Sequence, residues 1–92
     1  VPLDIARRAA ELMELAREVT EIGNAAASSD GACAAQALSA AVWCATYNVE
    51  INAAALKDPA KAQTLRDEVS ALRAHAEALL DATNVAFGAR LG

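Results

Sequence analysis

From Gly31 to Val49 the chain carries no charged residue, and this window constrains everything around it. A membrane span needs about twenty predominantly apolar residues, so the window is nearly long enough for one. It is, however, built largely of alanine, poor in leucine, isoleucine and phenylalanine, and interrupted by Gln36, Ser39 and Thr46. Its ends carry Asp30 and Glu50 where a span would have basic anchors. The window therefore reads as a helix buried all round, and such a helix belongs at the centre of a bundle.

The rest of the chain supplies two more helices. Of the 92 residues 26 are alanine and only three are aromatic. Alanine favours helix and lets helices approach closely, yet each one buries little area. No stretch alternates apolar and polar residues with period two, so no strand is expected. The expected fold is an all-α up-and-down helical bundle of three long helices with a thin core. Residues 1–92 form a single helical domain or a domain fragment. Helices one and three would cover about half of helix two, which points to a larger bundle completed by more chain or another subunit.

Local signals place the boundaries. A first helix is expected over Pro2–Ile22, with Ile5, Ala9, Leu12, Ala16 and Val19 as its apolar stripe and Leu3, Met13, Leu15 and Ile22 widening it. Arg7, Arg8, Glu11, Glu14, Arg17, Glu18 and Glu21 make a solvated face, with Arg7 and Glu11 one turn apart. Gly23 and Asn24 tolerate the left-handed conformation of a C-terminal cap. After the connector "NAAASS", Ser28 or Ser29 would cap helix two, leaving Asp30 in its first turn at the positive end of the helix dipole. Helix two would run to about Leu56, and Asp58 followed by Pro59 marks the start of helix three. Leu65, Val69, Leu72, Ala76 and Leu79 form its stripe, and the pattern weakens at Asn84 and Gly88, where the tail is expected to fray.

The net charge of −4 and a pI near 4.8 argue against a nucleic-acid partner, because no basic face is available to neutralise phosphates. Cys33 and Cys44 lie eleven residues apart, about 16 Å along one helix, too far to pair. Free, buried thiols in a reducing compartment follow, and the expected location is cytoplasmic. The opening "VPLDIARRAAEL" has no basic-then-apolar leader, and a start on valine suggests a processed or excised piece. His75, between Arg73 and Glu77 and beside the stripe, reads as a surface residue with no second ligand at metal spacing. Trp43 and Tyr47, four apart, read as core or interface. No nucleophile elbow or phosphate loop occurs.

Several short motifs occur in register with these boundaries. "VPLDIARRAAELMELAREVTEIGN" is followed by "SD", and "YNVEIN" closes helix two with "LKD" after it. In this order, over roughly residues 1 to 80, the chain resembles the cyclodeaminase-type domain of formiminotransferase-cyclodeaminases, a family that also contains methenyltetrahydrofolate cyclohydrolases. It departs from that pattern in the plainer turn "GNAAAS". It also lacks the glycine-rich segment and the aspartate-bearing helix of the family domain's first half, which serve folate contacts and acid catalysis. The resemblance therefore implies the C-terminal half of such a domain, with the main catalytic acid in the other half.

The resemblance implies a one-carbon enzyme, a lyase or a hydrolase, acting on a tetrahydrofolate derivative as substrate without a metal. The expected partners are the folate and either another copy in a homo-oligomer or a complementary N-terminal half. A non-catalytic helical interaction module of the same fold is the alternative. Both family reactions involve an amidinium-like cation, which carboxylates and amide oxygens stabilise. Asp30 is the candidate electrostatic partner for that charge. Asn48 and Asn52, one helical turn apart, could read the donor and acceptor edge of a pterin-like ring, and Asn24 could line the same site.

Overall fold

A computed structural model describes residues 1–91; only Gly92, the last residue of the weakening tail, lies outside them. Three helices follow one another: α1 (Pro2–Ile22), α2 (Ala25–Ala55) and α3 (Pro59–Leu91). No strand occurs among the described residues. The bundle is a rod of 52 × 17 × 13 Å in which each helix packs on both others, as an up-and-down bundle requires. Ala9, Ala10 and Met13 of α1 meet Val42 of α2 and Ala76 and Leu79 of α3, with Leu38, Ala41, Leu72 and Leu80 around them.

The first turn is tighter than the sequence suggests. Gly23 and Asn24 are both extended, with φ of −74° and −69°, and no residue among those described adopts positive φ. Gly23 is required for space instead: a Cβ there would lie 2.7 Å from the Val19 carbonyl and 2.8 Å from the Ala27 Cβ. Asn24 is the N-cap of α2, its Oδ1 accepting from the Ala27 amide at 2.9 Å. Ser28 and Ser29 are therefore inside the helix, and Ser28 is fully buried with its hydroxyl donating to the Thr20 carbonyl at 2.9 Å. Asp30 falls beyond the first turn of α2, where the helix dipole contributes little.

The second turn follows its sequence signals: Asp58 Oδ1 accepts from the Ala60 amide at 2.9 Å, with Pro59 as the first helical residue. α3 does not fade at Asn84 or Gly88 but continues to Leu91. Thr83 is buried inside it, and the Arg90 guanidinium donates to the Glu21 carbonyl, one of the last carbonyls of α1, which lack helical partners.

The largest departure concerns α1. Its buried residues are Ala6, Ala9, Ala10, Met13, Ala16 and Thr20, whereas Ile5, Leu12, Leu15, Val19 and Ile22 are exposed. The inner stripe is displaced by one residue, about 100° around the helix, from the one that large aliphatic side chains mark. Small residues face inward because α1 and α2 approach closely: a Cβ on the buried Gly31 would lie 2.3 Å from Thr20 Oγ1 and 3.0 Å from the Ala16 carbonyl. α2 is likewise not buried all round. Ser28, Gly31, Ala35, Ser39, Val42, Thr46, Val49 and Ala53 face its neighbours, while Cys33, Gln36, Ala40, Cys44 and Tyr47 are exposed. Both cysteines are free, and both are exposed rather than buried. None of the three helices is long and apolar enough to cross a membrane.

Candidate functional site

The four side chains that the sequence singles out all belong to α2 or its cap, and α2 runs unbroken over Ala25–Ala55, which separates them. Asn24 is committed to capping. Asp30 is exposed on the rim of an open groove between α1 and α2, about 330 Å³ in volume and lined by Leu12, Leu15, Val19, Gly31, Ala34 and Leu38. Asn48 and Asn52 are exposed one turn apart near the other end, and Asn48 Nδ2 donates to the Cys44 carbonyl at 3.3 Å. Eighteen residues separate Asp30 from Asn48, which is five full turns: the two lie on one face, about 27 Å apart. Within one chain Asn48 and Asn52 are neighbours along the helix, and Asp30 lies apart from both. A further groove of about 400 Å³ at the α2–α3 turn, lined by Leu56, Ala60, Lys61, Thr64 and Leu65, contains none of the four.

Of these side chains, Asp30 borders an apolar concavity. The groove wall opposite it is the outer side of α1, where Leu12, Leu15 and Val19 are about half exposed. A carboxylate beside an apolar floor suits a flat ring that carries delocalised positive charge, since the floor takes the ring face and the carboxylate takes the charge. Cys, His, Asp and Glu side chains do not gather in threes among the described residues. His75 is on the surface, with Nε2 3.2 Å from Glu14 Oε1.

A second polar cluster, centred on Arg73 of α3, does not stand out in the sequence. Its Nε donates to Thr46 Oγ1 at 2.9 Å and its Nη1 to Glu50 Oε1 at 2.8 Å. The guanidinium lies 4.4 Å from the Trp43 ring centroid and 5.3 Å from that of Tyr47, so both aromatic rings of α2 hold one cation. Trp43 is half-buried and Tyr47 exposed, their expected core or interface role being this grip on α3. The Arg73 hydrogen bond holds the Glu50 carboxyl below its ordinary range against an opposing effect of desolvation, with lesser help from the charges of Arg73 and Arg66. The signal for Arg73 was its spacing: it follows Val69 by four and precedes Ala76 by three, which puts a charge at the edge of the inward stripe.

No curated protein and no solved structure matches the chain. The model of the formiminotransferase-cyclodeaminase family does match, over residues 1–71, which take in α1, α2, the Asp58 cap and the first part of α3. The chain belongs to the formiminotransferase-cyclodeaminase family.

Proposed function

We propose that the chain is part of a folate one-carbon enzyme of the formiminotetrahydrofolate cyclodeaminase or methenyltetrahydrofolate cyclohydrolase type. In this reading Asp30 stabilises the cationic one-carbon unit. In the first reaction a folate nitrogen attacks the formimino carbon, a C–N bond forms, and the amidine nitrogen leaves as ammonia once protonated. In the second, water adds to the methenyl carbon, one of its two C–N bonds opens to leave a formyl group on the other nitrogen, and a proton is released. Positive charge on the one-carbon unit is common to both, and a fixed carboxylate lowers its free energy without itself exchanging a proton. The proton donor belongs to the complementary half of the domain.

One observation carries this reading: within the family-matched residues, Asp30 places a carboxylate at the rim of an apolar groove. The test is Asp30→Asn in the complete parent enzyme. Turnover should fall more than about tenfold, equivalent to roughly 1.4 kcal/mol of transition-state stabilisation, with the melting temperature unchanged. Unchanged turnover would remove Asp30 from the chemistry. A second reading, a non-catalytic helical interaction module, draws on the outward aliphatic face of α1. A parent protein without cyclodeaminase or cyclohydrolase turnover, but with an intact bundle, would favour it.

A further inference from the structure

The outer face of α1 is the least ordinary surface of the molecule. Val1, Ile5, Arg8, Leu12, Leu15, Val19 and Ile22 follow one another at intervals of four and three, and all seven are exposed. The six apolar members range from 40% exposed at Val19 to 89% at Val1. Intervals of four and three are the a and d positions of a heptad, and this seam coincides with none of the residues α1 buries in its own bundle. A helix needs only one apolar stripe to join a three-helix bundle; α1 has two, and the outer one has the larger side chains.

The flanks of the seam say what it fits. On its solvent side the three positions preceding Ile5, Leu12 and Val19 are Asp4, Glu11 and Glu18, an acidic row along the whole seam. On its other side Ala9 and Ala16 are buried against the bundle, and the groove there ends at Asp30. Arg8 is the single charged residue within the seam itself. A second copy laid antiparallel along α1 would set acidic row against acidic row, which repels.

We propose that this face is a docking seam for a partner α-helix, one with apolar residues in the same three-and-four repeat flanked by lysine or arginine. Its aliphatic side chains fill the holes between Ile5, Leu12, Leu15, Val19 and Ile22, and its basic flank meets Asp4, Glu11 and Glu18. Arg8 fixes the register, because only one layer of the partner can face a guanidinium. The seam shares Leu12, Leu15 and Val19 with the groove that ends at Asp30, so a helix seated on it would cover the outer wall of that groove, and its binding is measured without folate.

The test uses the 92-residue chain and two fluorescent three-heptad peptides with leucine at a and d, one carrying lysine and the other glutamate at e and g. The lysine peptide should bind at least about tenfold tighter, the combined effect of three exposed ion pairs, and the preference should shrink with added salt. Leu12→Gln with Leu15→Gln should abolish binding; circular dichroism checks that this variant keeps its helices. Glu11→Lys with Glu18→Lys should reverse the preference between the peptides, and this second variant decides the matter if the first fails to fold. Equal binding of both peptides would overturn the proposal. So would a chain that sediments as a dimer on its own and becomes monomeric in the leucine variant, since a second copy would then occupy the seam.

Discussion

The two junctions that α2 makes are built in opposite ways. Against α1 it closes by omission: Gly31 leaves room for Thr20, the Thr20 hydroxyl turns back to the Ala16 carbonyl at 2.7 Å, and Ser28 reaches the Thr20 carbonyl. Against α3 it closes by bulk, with Trp43, Thr46, Tyr47 and Glu50 gathered round the one guanidinium of Arg73. The first junction cannot accept added atoms, and the second cannot lose them. An alanine-rich chain thus obtains helix contacts in two ways, by close backbone approach at one end and by a few long side chains towards the other.

Adding atoms at the first junction should have the largest effect. Gly31→Val places branched carbon where Thr20 and the Ala16 carbonyl already are, and should cost about 3 kcal/mol of unfolding free energy in a urea titration. Gly31→Ala should cost less, because about 1 kcal/mol of helix propensity is returned. A valine variant as stable as the parent would show that the junction is not tight.

Removing atoms at the second junction comes next. Arg73 is 17% exposed, and Arg73→Ala should cost about 2 kcal/mol through lost stacking and hydrogen bonds. Emission from Trp43, the sole tryptophan, should shift to longer wavelength as its ring meets water. An unshifted spectrum would mean that the ring is not covered by the guanidinium.

Gly88 provides a contrast with Gly31. Nothing lies within 4 Å of a Cβ built there, so Gly88→Ala should raise stability by about 1 kcal/mol. The same one-carbon addition then has opposite signs at the two sites, and equal signs would break the comparison.

The smallest effect is a pH dependence. Glu50 titrates below its ordinary value in the folded chain because Arg73 donates to it, so its contribution to stability is complete above the ordinary glutamate value. That contribution is lost as pH falls through the lowered folded value. Glu50→Gln should flatten this acid limb and lower neutral stability by the same small amount, and an identical acid limb in the variant would show that the pair is not coupled to folding.

Signals confined to a few neighbouring residues were legible in advance. Asp58–Pro59 begins α3 because a cap needs only its own first turn, and Val69, Ala76 and Leu79 point inward because their spacing has one reading. The phase of α1 was not legible, since alanine and leucine compete under different rules. Size favours Leu12 and Leu15 for the core, whereas close approach to Gly31 admits only Ala16 and Thr20. Asn24, Ser28 and Ser29 are all acceptable caps, and the choice rests on the Ser28 hydroxyl being engaged across the interface. For the candidate site, Asn48 beside Asn52 follows from their spacing, but their separation from Asp30 depends on α2 running unbroken. Arg73 meets Thr46 across twenty-seven residues of sequence, a contact no local pattern encodes.

Nine of the fourteen buried hydrophobic residues are alanine, and this has a thermal consequence. The heat capacity gained on unfolding scales with the apolar surface released, and methyl groups held against the backbone release little of it. The enthalpy of unfolding should therefore change slowly with temperature, giving a shallow stability curve. Calorimetry would record a broad, low endotherm, and cooling towards freezing would weaken the bundle less than it weakens a core of leucine and phenylalanine.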